Sequence, residues 1–330
     1  EGAFTCAALQ EIKALADKKF APDGGVRAAE YVADVEPILM IQEIQTAQFQ
    51  GLADPNKDNT VRVIYMDDCD TDAPEACDTD CDVDGPEIGL QCQDYELDLC
   101  FQKSFSVKER KYRGLQNVTM EEEISTNLLK KMKLLDEEVA RYAVSRLNSW
   151  VGVNANTSPY PVSGTNTVIP STAWNEDLFG YFYHTMKLNR MPNMKLFLGG
   201  LMNQTIWKIQ MGASTPEGAV AARKIGSLGK VYTDLFITES ELSTKKAFLV
   251  NPSSVAFVSK AYFSPYGAGR PMNGSNGARQ IWYTMPSYNI PGVVYDVVYQ
   301  EECASNDVKH SWKITFNGGL FRNPNGCSDN

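Results

Sequence analysis

The residues whose types and spacing most clearly suggest chemistry are carboxylates in a short acidic segment, DTDCDVDGPEIGLQ. Asp80, Asp82 and Asp84 alternate there and are followed by Gly85, as in the first half of a calcium-binding loop. Alternate carboxylates can converge on one cation, and the glycine permits the sharp turn that such a loop needs. Gln91 occupies the position where a calcium loop has a bidentate glutamate. The sequence therefore predicts weak Ca²⁺ binding by the three aspartates, with a solvated acidic loop as the alternative interpretation.

Cysteine is concentrated in the same acidic part of the chain. The sequence contains eight cysteines, and five of them lie close together: Cys69, Cys77, Cys81, Cys92 and Cys100. This clustering favours disulfides if the protein matures outside a reducing cytosol. Zinc is the alternative because Cys77 and Cys81 have C-x3-C spacing, but no nearby histidine or second close cysteine pair completes a four-ligand set. We therefore predict disulfides among these five cysteines, with a pairing that the sequence does not determine.

Catalytic signatures are absent from the sequence. The chain has two histidines, His184 in a predicted helix and His310 in a predicted strand, and both are interpreted as structural residues. There is no G-x-S-x-G, H-E-x-x-H or P-loop motif, and no G-x-G-x-x-G follows a strand. We predict a protein that is not an enzyme and has no cofactor other than weakly bound Ca²⁺. A hydrolase that uses only carboxylates is the remaining enzymatic alternative.

The excess of acidic over basic residues in the chain comes from one segment. The net charge is −10, from 31 basic and 41 acidic residues. Between Arg62 and Lys103 there are thirteen acidic residues and no Lys or Arg, so the rest of the chain is nearly neutral. No broad basic surface is expected, which argues against tight, sequence-specific binding of nucleic acid. No apolar run approaches the roughly 18 residues that span a bilayer, so no membrane association is expected.

The element with the clearest pattern is a long helix over Thr119–Gly152. Its apolar residues recur every three to five positions: Ile124, Leu128, Met132, Leu135, Val139, Tyr142, Leu147 and Trp150. Thr119 and Glu122 fit a capping box at its start, and Gly152 is placed to end it. At 1.5 Å per residue the helix would be about 45–50 Å long. It is either a long core helix, half of a coiled coil, or a spine that carries extended segments.

The other predicted elements indicate an α+β protein. A helix over 5–19 comes first, followed by a strand or short helix over 38–44. Val61–Met66 and Tyr95–Val107 then form the two arms of a long hairpin, with the acidic, cysteine-rich segment at its tip. A second helix begins near Ser171, and mainly antiparallel strands complete the chain.

This order of parts resembles the major capsid proteins of tailed bacteriophages, which have the HK97-like fold that encapsulins share. The resemblance depends on the helix over Thr119–Gly152 and on the extended loop over Val61–Val107 before it. It also depends on four phrases in the second half of the chain: MKLFLGGLMNQTIW, GKVYTDLFI, KKAFLVNPSSVAFV and KITFNGGLFRNP. These phrases are similar to strands and helices of the central domain of such coat proteins.

The resemblance implies an HK97-like organisation of the whole chain. It comprises an N-terminal arm (1–50), an extended hairpin loop with an acidic tip (51–118), a spine helix with a peripheral domain (119–190), a central domain (191–300) and a C-terminal strand that returns to the body (301–330). In the family the loop lies over a neighbouring subunit and the arm reaches another. In the family a maturation protease often removes an N-terminal segment. The resemblance therefore implies that Glu1 follows a segment removed in this way.

The resemblance also implies partners and a location. The chain would be a homo-oligomer, in the hexamers and pentamers of an icosahedral shell, with portal and scaffolding or decoration proteins as further partners. It would enclose double-stranded DNA and contact it non-specifically, in a virion assembled in the host cytoplasm. A helix of this length flanked by extended segments would bury too little surface inside one subunit, so neighbouring subunits would have to cover the rest.

One feature departs from the family and leaves alternatives open. The acidic, cysteine-rich tip is longer than the usual loop, and we hypothesise that oxidised cysteines lock the loop or link subunits. An encapsulin-like compartment would use the same fold around protein cargo. A secreted Ca²⁺-dependent adhesion protein is the alternative from another class, because of the acidic loop, the cysteines and four N-x-S/T sequons.

Overall fold

The fold is seen in a computed structural model that describes most of the chain. The described residues are 6–22, 27–45, 48–50, 60–66, 90–97, 99–112, 119–150, 160–163, 166–173, 176–188, 195–200, 202–204, 207, 231–234, 246–252, 254–262, 270–273, 279–304 and 307–322.

The helices of this part of the chain are α1 (Cys6–Phe20), α2 (Glu36–Ile44), α3 (Met120–Ser149) and α4 (Glu176–Leu188). The strands are β1 (Gln48–Gln50), β2 (Thr60–Met66), β3 (Leu90–Glu96), β4 (Leu99–Lys108), β5 (Val162–Ser163), β6 (Asn166–Thr167), β7 (Lys195–Gly199), β8 (Val231–Asp234), β9 (Ala247–Val250), β10 (Val255–Ser259), β11 (Arg270–Asn273), β12 (Arg279–Pro286), β13 (Val294–Ala304) and β14 (Asp307–Arg322). The chain is therefore a mixed α+β protein, as predicted. None of its described helices is both long enough and apolar enough to cross a membrane.

Helix α3 begins with the predicted capping box. The Thr119 hydroxyl accepts a hydrogen bond from the backbone N–H of Glu122, and the Glu122 carboxylate accepts one from the backbone N–H of Thr119. Three glutamates lie in its first turn, where the positive end of the helix dipole stabilises them. The helix is 30 residues long, which corresponds to about 45 Å. The long helix is thus confirmed, while the predicted stop at Gly152 lies outside the described residues.

The apolar side of α3 is covered by the chain itself. Six residues of the predicted stripe are buried: Ile124, Leu128, Met132, Leu135, Val139 and Leu147. They belong to one core that includes residues of α1, α2, β4 and β14. The expectation that this helix buries too little of its surface inside one subunit is therefore not supported on its apolar side. The reason is that elements from both ends of the sequence pack along it.

The main sheet has six antiparallel strands and lies against α3. Its order is β10-β14-β13-β12-β11, and β4 also pairs with β14. β14 pairs with β13 over Asp307–Thr315. It also pairs with β4 over Lys309–Gly318 and with β10 over Gly318–Arg322. The 16 residues of β14 therefore join the strand before the long helix to strands from the second half of the chain.

A single strand over Tyr95–Val107 was predicted, and the structure has two strands there. β3 pairs with β2, as the predicted hairpin requires, whereas β4 pairs with β14 in the main sheet. Apolar residues occupy odd-numbered positions on both sides of the break. Leu97 and Leu99, which flank it, are both buried. The alternation of apolar and polar residues therefore gives no sign that the chain passes from one sheet to another.

A second, smaller core lies around α4. β7 is the middle strand of a three-stranded sheet, parallel to β8 and antiparallel to β9. Leu196 and Leu198 pack with Leu178 and Phe182 of α4 in this second core. Phe197 points to the main core instead. Because alternate residues of β7 belong to different cores, this short strand joins the two parts of the body.

Replacing Thr119 by alanine is expected to lower the free energy of unfolding by about 1 kcal/mol, because it removes the hydroxyl that caps α3. Chemical denaturation would measure the change. Ser149→Ala is the control: its exposed hydroxyl bonds to the Arg146 carbonyl within the same helix, so its removal is expected to have little effect. An equal loss in both variants would contradict the capping role.

Candidate functional site

The structure does not bring metal-ligating side chains together in the part that it describes. Among those residues, no group of three or more His, Cys, Asp or Glu side chains could hold a metal ion. The calcium candidates Asp80, Asp82 and Asp84 lie outside the described residues. Weak Ca²⁺ binding therefore stays a prediction.

Of the predicted disulfide cysteines, only Cys100 has a described side chain. It is exposed and free on β4, and the residue opposite it on β14 is Asn317 rather than a cysteine. The prediction of a disulfide is therefore not supported for Cys100 within one chain. Cys303 on β13 is likewise exposed and free. The other candidates, Cys69, Cys77, Cys81 and the side chain of Cys92, lie outside the described part.

The two histidines occupy different environments. His310 is fully buried on β14. Its Nδ1 lies 2.8 Å from the Tyr299 hydroxyl and its Nε2 lies 3.1 Å from the Glu109 carboxylate. Glu109 belongs to a short 3₁₀ turn after β4, so this histidine joins two strands to the segment that leads into α3. His310 is thus a structural residue, as predicted, whereas His184 is exposed on α4.

A separate small sheet is formed by β1, β2 and β3. β2 is the central strand and is antiparallel to both neighbours. Arg62 lies opposite Asp94, and its guanidinium donates two hydrogen bonds to that carboxylate, at 2.8 and 3.0 Å. These hydrogen bonds lower the pKa of the Asp94 carboxyl. The pair lies on the exposed face and is consistent with the register of the hairpin.

The opposite face of this sheet is fixed to the body through a cluster that we call the hairpin root. It consists of Val61, Val63, Tyr95 and Leu97 from the hairpin side and Val258 and Phe321 from the main sheet. The Tyr95 and Phe321 rings lie 4.6 Å apart. The Tyr95 hydroxyl also donates to the Arg322 carbonyl at 3.0 Å. The root therefore holds the hairpin against the ends of β10 and β14.

Beyond the root, the small sheet has two edges without a strand partner. In the described residues, β1 and β3 pair only with β2. The strand edge of a sheet carries unpaired N–H and C=O groups that can pair with another chain. A small sheet of this kind is stable when its apolar face is packed against other elements. The hairpin thus has one side fixed on its own body and edges suited to contact with another molecule.

The N-terminal helix α1 packs on α3 of the same chain. Ala16 and Phe20 form a cluster with Leu129 of α3 and with Tyr31. The Lys19 ammonium donates to the Glu122 carbonyl at 2.6 Å and to the Thr126 hydroxyl at 2.8 Å. The resemblance implies an arm that reaches a neighbouring subunit. In the described part of this chain, helix α1 of the arm packs on α3 of the same chain, and contact of the arm with a neighbouring subunit stays a prediction.

Comparison with known proteins gives matches at the level of structure alone. No protein-family model and no curated protein match the sequence. The structure is similar to one from Mycobacterium phage Che8, with 14% identity and a TM-score of 0.41 over 84% of this chain and 89% of that chain. It is similar to the capsid structure of the cyanophage P-SCSP1u, with 10% identity and a TM-score of 0.38 over 81% of both chains. It is also similar to the capsid of Ralstonia phage GP4, with 11% identity and a TM-score of 0.41 over 81% of this chain and 80% of that chain. The three matched structures come from bacteriophages, and two of them are capsid structures.

Sequence reasoning missed one buried polar cluster, which is centred on Asp136 of α3. Asp136 is 0% exposed, and its carboxylate accepts hydrogen bonds from Ser287, Asn289 and Tyr295. A signal for its burial was present, because Asp136 lies four residues after Met132 and three before Val139. That spacing places it on the apolar side of the helix.

Proposed function

We propose that this protein is the major capsid subunit of a tailed bacteriophage, with the HK97-like fold, and that it assembles into an icosahedral shell around a double-stranded DNA genome. In this proposal α3 is the spine helix and β2–β3 is the extended loop. The virion is its location, and the shell is assembled in the host cytoplasm. Hexamers and pentamers of the same chain are its main contacts, with portal and scaffolding or decoration proteins as further partners.

The observation that carries the proposal is the packing of the small sheet. Its apolar face packs on the body at the hairpin root, and in the described part of the chain its edge strands β1 and β3 have no further strand partner. A subunit that exposes such edges gains stability when a neighbouring copy covers them. Closed symmetry lets identical copies provide that cover for one another.

The charge distribution supports the same function. The segment between β2 and β3 covers residues 67–89 and contains ten acidic residues and no basic ones. Outside the acidic stretch between Arg62 and Lys103, acidic and basic residues nearly balance. A nearly neutral body suits a shell that contains DNA without binding it tightly, since tight binding requires many Lys and Arg contacts to phosphate.

Two exposed apolar side chains also support contact with other copies. Trp207 is 62% exposed and Leu134, on the outer side of α3, is 44% exposed. Large exposed aromatic residues are enriched where proteins contact one another. Both residues are therefore candidates for burial when subunits assemble.

The proposal is tested by expressing the chain, purifying it at high concentration, and examining it by negative-stain electron microscopy and sedimentation. Closed shells, or rings of five or six copies that close into shells with a scaffolding partner, are expected. A monomer at all concentrations, with or without phage partner proteins, would contradict the proposal. Particles that contain protein cargo but no nucleic acid would instead indicate an encapsulin-like compartment.

A further inference from the structure

Strand β4 forms an outer edge of the main sheet. It is ten residues long and, among the described strands, it pairs only with β14. Three consecutive residues at its middle, Gln102, Lys103 and Ser104, are exposed. Successive side chains of a strand point to opposite faces, so water reaches this edge from both faces of the sheet. The unpaired N–H and C=O groups of such an edge can pair with another chain.

The side of β4 that faces α3 is apolar on both sides of one charged residue. The Phe101 ring lies 6.2 Å from the Tyr142 ring of α3, and the Phe105 ring stacks on Trp312 at 5.1 Å. Lys103 lies midway between the two phenylalanines, on the same side of the strand. The alternation of β4 therefore places a charge where its pattern calls for an apolar side chain.

Interactions within the described part of the chain do not explain this lysine. Lys103 lies opposite Ile314 of β14, which is 0% exposed. The alkyl stem of a lysine can lie over such a residue while its ammonium stays in water. Among the described residues the Lys103 ammonium forms no ion pair or hydrogen bond. Valine would cover Ile314 with a fully apolar side chain and has the higher β propensity.

The two other outer strands of the main sheet, β10 and β11, are protected in different ways. β11 has four residues and contains Pro271, which donates no backbone hydrogen bond. At the edge of β10, the backbone N–H of Phe257 already donates to the side-chain oxygen of Gln45 from the end of α2, at 3.0 Å. Short length, proline and cover by another element all hinder edge-to-edge pairing. β4 is the longest of these three strands and has none of these protections among the described residues.

A charge on the inward side of an edge strand is another form of protection. If a second chain added a strand to β4, the Lys103 ammonium would be enclosed between that strand, Ile314 and α3. Removing an ammonium group from water is costly when no partner charge compensates it. This cost falls on the associated form alone, because in a single chain the ammonium reaches water at the open edge.

We propose that Lys103 is a guard residue that prevents other chains from pairing along the edge of β4. Its effect is selective, because β3, an edge strand of the small sheet, contains neither lysine nor proline. The main sheet thereby stays closed to strand addition, while the edge of the hairpin stays available for contact. The guard acts on the unassembled chain, whether or not that chain forms a capsid.

Lys103→Val in the full-length chain tests this role, under conditions in which the original chain stays unassembled. The variant restores the apolar alternation, so its free energy of unfolding is expected to equal or exceed that of the original chain. Because the valine is buried when a second strand covers it, the concentration at which chains associate is expected to fall about tenfold or more. Sedimentation velocity over a concentration series measures this shift.

Hydrogen exchange locates the new contact. Amides in the peptide 99–108 should become more protected as the concentration of Lys103→Val rises, because the edge N–H groups gain partners. The original chain should show no such dependence over the same concentrations. Unchanged association of the variant, or association without added protection in β4, would overturn the proposal.

Lys313→Val is the matched control. Lys313 is also exposed, but β14 is paired on both sides there, with Ser104 of β4 and Val298 of β13. The same substitution removes the same charge without an open edge, so association is expected to stay at the original level. Equal association of the two valine variants would show that lost surface charge is the cause, and would overturn the guard role.

Two further substitutions at the same position separate charge from folding. Lys103→Glu keeps a charge at the edge and should leave association at the original level. Lys103→Thr removes the charge with a residue that strands accept readily, so it should associate more than the original chain even if Lys103→Val fails to fold. Association of the glutamate variant along β4, or none by a folded threonine variant, would overturn the proposal.

Discussion

Replacing Gly318 by alanine is expected to lower the free energy of unfolding by about 3 kcal/mol. Gly318 lies in β14, where it pairs with both Leu99 of β4 and Ser259 of β10. A Cβ atom there would come within 2.5 Å of the Val258 carbonyl oxygen and 2.6 Å of the Phe316 ring. The first of these atoms is backbone of the paired strand, so the clash cannot be relieved by a side-chain rotation. Urea denaturation followed by circular dichroism would measure the loss.

Gly180→Ala provides the matched control for this prediction. Gly180 lies within α4, and a Cβ atom there would meet nothing within 4 Å. Alanine is favoured over glycine inside a helix, so the same added methyl group is expected to stabilise the protein by about 0.5–1 kcal/mol. If the free energy of unfolding falls in Gly318→Ala and rises in Gly180→Ala, then the lack of space around Gly318, rather than the loss of glycine itself, determines the effect. Destabilisation of equal size in both variants would contradict this explanation.

The sequence specifies the long helix better than any other element, because its signals are local and agree with one another. The apolar repeat from Ile124 to Leu147 has helical spacing, and the capping box lies within four residues of the chain. Both were confirmed in the structure. The apolar repeat cannot show what covers it, since α1, α2, β4 and β14 come from distant parts of the sequence. That is why the sequence could not show that the chain itself covers the apolar side of α3.

Strand partners are not predictable from the same kind of signal. β4 lies opposite β14, so Lys103 pairs with Ile314 across more than two hundred residues. No local feature distinguishes this partner from β2, which the hairpin pattern suggested. The contacts of the hairpin root cannot be predicted from local sequence either, because Val63 and Phe321 come together only through the topology of two sheets. The predictions for the acidic loop concern residues outside the described part of the chain and stay predictions.

Detaching the hairpin at its root is expected to prevent shell assembly while the body of the subunit stays folded. Val63 in β2 is 0% exposed and packs in the hairpin root. Val63→Asn would bury an amide among apolar side chains, which costs about 3 kcal/mol when no partner compensates it. The main core around α3 does not include Val63, so the circular dichroism of the subunit should change little. Sedimentation of assembly reactions would measure the loss of particles.

Arg62→Asn is the matched control because it introduces the same residue one position earlier, on the opposite face. The Arg62 side chain is 53% exposed and its ion pair with Asp94 lies at the surface, where solvent screens such a pair and it contributes little to stability. Assembly is therefore expected to continue in this variant. Hydrogen exchange in β2 and β3 should rise in Val63→Asn and stay close to the original in Arg62→Asn. If Val63→Asn frees the hairpin by this measure and shells still form in full yield, then the fixed hairpin is not what joins neighbouring subunits, and the observation that carries the capsid proposal no longer supports it.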